Sequence, residues 1–426
     1  MNRSKPVVLF TTPVLQYPPV GGPTLRIENS IKALSQISEL YICSRVSLDS
    51  LGGTGSLSFY QQYCKFFYFT PSVVSSNKNV EFVRRIINFL SRKVIHRSIL
   101  QSGAKSPKKD FEYLLKVANV IRADVIWMGF GNISYPMLNY IKQHSSYKVV
   151  VDTDSVWSRF IMRGLPFAET MEERKKIQDD GKNKQIEEAW GTKMADVTTA
   201  VSEVDAEYYR GLTNDPGKVH LFSNVIDMEM YKQVPPPPGN FRKPCIYLAG
   251  TFWSKSPMED AARWVISQIL TLVQERIPVH LYIVGKGSDQ VLADINHPSV
   301  TITGQLPSVL PYLCHADVAL VPLRFESGTR FKILEAGACG IPVVSTTLGA
   351  EGLPVTHEKE ILIADTPEQF AASIIRVIKD RAFAVGMAQN LKKLVEEQNS
   401  ISTLAHEGFA VLNYLDAINS KDKHTN

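Results

Sequence analysis

Residues 318–353 read VALVPLRFESGTRFKILEAGACGIPVVSTTLGAEGL, a stretch that changes character four times. A run of strand-forming residues, 318–321, stops at Pro322. A polar loop with Gly328 follows, then a helical pattern beginning near Thr329, then a second apolar strand at 343–345. Strand, loop, helix and strand, with the strands apolar on both faces, is the repeating unit of a parallel sheet covered on both sides. A helix starting beside a strand end presents unpaired backbone N–H groups and the positive end of its dipole, which suits an anion. Arg330 and Lys332 add positive charge there. Glu335 lies one helical turn beyond Lys332, where a carboxylate is suited to accept hydrogen bonds from the vicinal hydroxyls of a ribose.

The same rhythm runs outward in both directions. Strands are expected at 7–11, 39–43, 66–69, 125–128, 148–152, 197–200 and 219–222, then at 246–249, 280–284, 300–303, 318–322, 343–345 and 361–363. Helical periodicity marks 24–35, 258–275, 367–378 and 403–417. Between the halves stand four consecutive prolines, 235–238, followed by Gly239. Such a run is extended and stiff and enters neither sheet. A chain of 426 residues also exceeds what one hydrophobic core usually serves. Two doubly wound α/β domains are therefore expected, 1–234 and 240–426, with the last helix packing back on the first domain. Ligands of such sheets bind outside the carboxyl ends of the strands, so a cleft between the domains is the expected site.

Composition narrows the function classes. Hydrophobic residues make up 44% and charged residues 21%, which argues against a mainly disordered chain. The five cysteines, Cys43, Cys64, Cys245, Cys314 and Cys339, are odd in number and none forms a C-x-x-C pair. That spacing argues against a zinc ribbon or a disulfide scaffold and fits a reducing cytosol. The uncharged stretch 6–25 holds five prolines and two glycines and cannot be a membrane helix. No membrane span and a cytoplasmic location are expected.

The residues carry a family resemblance. GTRFKILEAGACGIPVVSTTLGAEGL (328–353) resembles the donor-binding signature of GT-B glycosyltransferases, specifically the large retaining group called family 4, or glycosyl transferases group 1. Upstream, IYLAGTFWSKSPMEDAARW (246–264), LYIVGKGS (281–288) and TITGQLPSVLPYLCHADVALVP (301–322) resemble family segments in the family's order. So do Gly21-Gly22-Pro23, VSEVDAEYY (201–209) and KVHLFSNVIDMEMY (218–231). The resemblance implies two Rossmann-like domains facing across a cleft. The activity implied is retaining transfer of a sugar from a nucleotide-sugar donor to a glycan, glycolipid or other cell-surface acceptor. It implies no cofactor and no metal, the leaving diphosphate being stabilised by protein cations.

Site roles follow residue by residue. Arg330 and Lys332 are the expected diphosphate-binding cations. Glu335 matches the second Glu of the family's E-x7-E motif, which holds the ribose. Gly250, Lys255, Glu326, Gly328 and Thr329 complete the expected donor side, with Gly21 and Gly22 approaching it from the first domain. Departures are visible: Ser327 stands where the motif's first Glu belongs, Thr251 where the family often has Arg, and Lys255 is one residue short of its usual Lys. They motivate an alternative of another class, a catalytically silent GT-B protein that binds a nucleotide sugar or glycan as a regulatory subunit.

The first domain adds acceptor-side candidates, Arg26, Asp152 and Asp154. The D-x-D spacing of the two aspartates admits three readings: oxygen ligands for a divalent cation, a helix cap, or partners of an acceptor hydroxyl. Charge is uneven, since residues 1–239 hold 30 Lys+Arg against 23 Asp+Glu, whereas residues 240–426 hold 17 against 19. Within 81–110, Arg84, Arg85, Arg92, Lys93, Arg97, Lys105, Lys108 and Lys109 face only Glu81 and Asp110. This basic segment is either a solvated helix face or a peripheral contact with an anionic membrane on its inner face. No nucleic-acid-binding module is recognisable.

Overall fold

The computed structural model describes residues 5–74, 107–328 and 330–422. They form two compact units, one of Met1–Ser158, Asp179–Ser223 and Leu404–Asn426, the other of Arg159–Gln178 and Asn224–Thr403. Thr329 and residues 75–106, which include most of the basic segment, lie outside the described residues.

Among the described residues of the first unit there are seven parallel strands, β1 (Val7–Thr12), β2 (Glu39–Ser44), β3 (Phe66–Phe69), β4 (Val125–Gly129), β5 (Lys148–Asp152), β6 (Val197–Ala200) and β7 (Val219–Leu221). Their order is β3-β2-β1-β4-β5-β6-β7. The order reverses between β1 and β4, the signature of a doubly wound sheet. Strands such as VVLFTT bury five of six residues, because helices cover both faces. The helix Gly22–Ile37 lays Ile27, Ile31 and Leu34 on the sheet, each fully buried. Burying three such side chains contributes about 1.5–3 kcal/mol apiece.

In the second unit six parallel strands follow, β8 (Cys245–Ala249), β9 (His280–Val284), β10 (Val300–Ile302), β11 (Val318–Val321), β12 (Val343–Ser345) and β13 (Leu362–Ile363). Their order is β10-β9-β8-β11-β12-β13, again doubly wound. The periodic stretch near 258–275 is helical from Pro257 to Gln274, with a π-helical turn at Val265–Ile269. Ser256 caps it by accepting from the Glu259 amide. Thr366 and Gln369 form a capping box on the helix Pro367–Lys379.

The units divide differently from what the proline run suggests. The boundary falls at Ser223 and Asn224, ahead of Pro235. Asn399 explains this: its carbonyl accepts from Ile226 N at 3.0 Å and its amide donates to Asn224 O at 3.0 Å. The prolines themselves lie along the second unit, where Pro235 O meets His315 Nε2 at 2.7 Å. At the other end of the chain, the Glu407 carboxylate accepts from Ser223 N and Oγ, both at 2.7 Å, within the first unit. The segment 159–178 joins the second unit although it lies between strands of the first. Periodicity also missed the 24-residue helix Met171–Met194, half of whose residues are charged and which buries only Gly181, Glu188, Gly191 and Thr192.

Among the described residues no helix is long and apolar enough to cross a membrane.

Candidate functional site

Three loops of the second unit leave the carboxyl ends of adjacent strands and build one surface. After β8 comes Gly250, with the Ser256-capped helix beyond it. After β9 comes Gly285-Lys286-Gly287. These two loops are laced together by Gly250 N donating to Val284 O at 3.0 Å and Phe252 N to Lys286 O at 2.8 Å. Gly285 has φ +135°, and a Cβ on it would sit 1.9 Å from Gly250 O. Gly287 has φ +80°, and its Cβ would sit 2.3 Å from Phe252 O. Only glycine permits so close a backbone approach.

The third loop follows β11 and ends at Arg330, the N-cap position of the helix Phe331–Ala338. Thr346 Oγ1 donates to Leu323 O at 2.6 Å and Ser345 Oγ to Val321 O at 3.2 Å, tying this loop to the end of β12. Gly328 takes φ +79° at the turn. The Arg330 guanidinium is 5% exposed and folds back on its own loop, with Nη1 donating to the carbonyls of Ser327 (2.6 Å) and Gly328. Its role in this structure is to shape the turn that opens the helix.

Lys332 and Glu335 sit on that helix one turn apart and are both half-buried. Lys332 makes no hydrogen bond or ion pair with any described residue. Burial lowers its pKa from the ordinary value, partly offset by Glu326, while Arg330 adds to the lowering and Glu335 opposes it. Burial raises the Glu335 carboxyl above its usual range, opposed by a hydrogen bond from Tyr231 and the charge of Lys332. Tyr231 Oη donates to Glu335 Oε1 at 3.0 Å and so orients the carboxylate. Tyr231 closes the quoted segment 218–231 but carries no local mark of this partner.

The remaining donor-side candidates have other engagements. Glu326 Oε1 accepts from Ser327 N at 3.2 Å and its charge acts on Lys332. Ser327 is buried, at 8% exposure. Lys255 is exposed, takes φ +60°, and ion-pairs through Nζ with Glu169 (3.1 Å) and Glu173 (3.2 Å).

In the first unit Gly21 has φ +82° and precedes the helix Gly22–Ile37, with Pro23 in its first turn. Thr24 Oγ1 accepts from Val20 N at 2.7 Å, closing the turn. Arg26 is 3% exposed; Nη2 donates to Asp152 Oδ1 and, at 3.1 Å, to Phe222 O. Asp152 also accepts from Thr199 Oγ1 at 2.8 Å and is fully buried. Burial raises the Asp152 carboxyl, against the pull of Arg26. Asp154 Oδ1 accepts from Asn132 Nδ2 at 2.9 Å and Trp157 Nε1 at 3.0 Å. The two aspartates thus have separate protein partners. Among the described residues no group of three or more His, Cys, Asp or Glu is disposed to hold a metal.

Comparison with known proteins bears on the same unit. Residues 243–380 match the family model described as glycosyl transferases group 1. No curated protein matches the sequence. Among solved structures, Alr3699/HepE of Anabaena in complex with UDP-glucose aligns with TM-score 0.63 at 13% identity, over 96% of this chain and 99% of that one. Sucrose-phosphate synthase of Thermosynechococcus elongatus aligns with TM-score 0.68 at 15% identity, over 97% and 100%. The lipopolysaccharide outer core galactosyltransferase WaaB, in its apo form, aligns with TM-score 0.55 at 15% identity, over 95% and 99%.

Proposed function

The chain carries a glycosyl transferases group 1 domain on the two-sheet GT-B fold and is a glycosyltransferase; from that premise we propose that it uses a nucleotide-diphosphate sugar as donor and transfers the sugar with retention. The observation that carries the reading is the pair Lys332 and Glu335, one turn apart on a helix opening at the end of β11, with Tyr231 orienting the carboxylate. Glu335 receives the ribose hydroxyls on the oxygen Tyr231 leaves open. Lys332 and the N–H groups of the first helical turn meet the diphosphate. As the glycosidic bond breaks, its electron pair moves to the leaving phosphate, and a preorganised cation stabilises that charge. The phosphate oxygen takes the proton of the acceptor hydroxyl as the new bond forms on the same face. No cofactor or metal enters this scheme. In the first unit, the Arg26–Asp152 pair holds the helix Gly22–Ile37 to the sheet, beside the turn at Gly21.

The test is binding followed by turnover. UDP, GDP, ADP and CMP are screened by thermal shift, since a ligand of the native state raises its melting temperature. UDP is tried first, because the Anabaena neighbour is a UDP-glucose complex. Glu335→Ala should weaken the binding nucleotide by about tenfold to a hundredfold, the loss of charge-assisted hydrogen bonds. Equal affinity in that variant would reject the ribose assignment. A panel of donors that yields neither transfer nor hydrolysis, while a nucleotide still binds, would favour the catalytically silent alternative that Ser327 and Thr251 suggest.

A glycan or lipid-linked acceptor and a cytoplasmic, membrane-peripheral location complete the proposal. The acceptor class follows from the family resemblance and the cytoplasmic location from the cysteine spacing, while the membrane contact rests on the basic run within 81–110, which suits anionic lipid. Reversing Arg84, Arg85 and Arg92 to Glu should reduce sedimentation with anionic liposomes at low salt. Equal sedimentation of both proteins would remove the membrane from the scheme.

A further inference from the structure

Arg163 has no role in the scheme above, yet it holds the candidate site from outside. It lies at the end of the helix Trp157–Arg163, in the segment that belongs to the second unit. Its guanidinium makes a fork with Glu351, Nη1 to Oε2 at 2.7 Å and Nη2 to Oε1 at 2.8 Å. Nη1 also donates to the carbonyl of Glu326 at 2.6 Å. Glu326 is in the loop after β11, and Glu351 is in the loop after β12. One planar side chain therefore joins the loops of two neighbouring strands.

Both partners are about one-quarter exposed, so the pair is shielded enough to matter. Burial raises the Glu351 carboxyl, but the hydrogen bond and charge of Arg163, together with the charges of Arg159 and Arg330, outweigh it and leave the group below its usual value. Further along the same segment, the Phe167 ring packs on Phe325 with centroids 4.4 Å apart, and Arg324 lies over Phe167 at 5.4 Å. The loop that ends at Arg330 is thus gripped at residues 325 and 326 from without, and by Arg330 itself from within.

Resting on the nucleotide-sugar reading, we propose that Arg163 is a positioning residue for the donor site: it fixes the loop after β11 so that Lys332 and the helix N-terminus meet the diphosphate. It does so without touching the donor. The three donor hydrogen bonds need a planar fork, which an ammonium cannot reproduce. A displacement of about 1 Å in such a support can cost on the order of a hundredfold in rate.

The full chain is purified as wild type, Arg163→Gln, Arg163→Lys and Glu351→Gln. UDP, GDP and ADP affinities are measured by calorimetry, and donor and acceptor KM by turnover, with melting temperature alongside. Arg163→Gln should raise the nucleotide Kd and donor KM by about tenfold or more and leave acceptor KM unchanged. Arg163→Lys should recover only part of the loss, and Glu351→Gln should shift donor KM the same way. A merely structural role would lower the active fraction and leave both KM values alone, and that result overturns the proposal. So does a folded Arg163→Gln protein with wild-type Kd and donor KM. If Arg163→Gln fails to fold, Glu351→Gln decides by the same two readouts. A wild type that binds no nucleoside diphosphate fails the donor reading itself and removes this proposal with it, a result distinct from wild-type binding that Arg163→Gln leaves unchanged.

Discussion

Replacing Lys332 with alanine should lower the rate of transfer by about a hundredfold to a thousandfold, the loss expected when one preorganised group facing a developing anion is removed. The melting temperature should stay within about 2 °C. The two expectations come from one observation. Lys332 is half-buried and makes no hydrogen bond or ion pair with any described residue, so truncation strands no protein partner. Its pKa is lowered chiefly by burial, so the charged form is less favourable folded than unfolded. Such a group costs stability at neutral pH, and that cost fades as the pH rises through the lowered value toward 10.5. Lys332→Arg, which keeps a cation, should retain part of the rate. A Lys332→Ala enzyme with wild-type kcat/KM would dismiss the residue from the site.

Gly285→Ala should affect the fold most. Its Cβ would lie 1.9 Å from Gly250 O at a φ of +135°, so steric overlap and backbone strain add. Each costs about 1–3 kcal/mol, against a total stability of about 5–15 kcal/mol. The neighbouring loop cannot yield cheaply, because the Gly250 N to Val284 O bond at 3.0 Å ties it to the same strand end. The expected result is a melting temperature lower by about 10 °C, or little soluble protein. Gly386→Ala is the internal control, since its Cβ meets nothing within 4 Å and the residue sits in the helix Arg381–Gln398. That change should stabilise by about 0.5–1 kcal/mol. Equal melting temperatures for wild type and Gly285→Ala would refute the close-approach argument.

Different parts of the molecule were legible to different degrees. The thirteen expected strands are the thirteen observed among the described residues, with ends shifted by a residue or so. Buried parallel strands are short apolar runs, and that pattern survives without knowledge of any neighbour. The helix Met171–Met194 was invisible for the opposite reason: with half its residues charged and few buried, it has no apolar stripe to show a period. Lys332 and Glu335 could be read together because helical geometry alone sets residues three apart on one face.

The partners of those residues were out of reach. Tyr231 is 104 positions from Glu335, and Arg163 is 163 and 188 positions from Glu326 and Glu351. Nothing in the local chemistry of a tyrosine or an arginine names a partner so distant. The two aspartates of the D-x-D spacing show the same limit: three readings fit the letters, and packing gave one carboxylate to Arg26 and the other to Asn132 and Trp157. Local alternation and periodicity are properties of the chain, and they specify elements, fold class and the cationic helix start. Strand order sets the two ends of the Arg163 fork side by side, because β11 and β12 are neighbours in the sheet and bring the loops of Glu326 and Glu351 together, and the segment Arg159–Gln178 then packs on that unit with Arg163 across both.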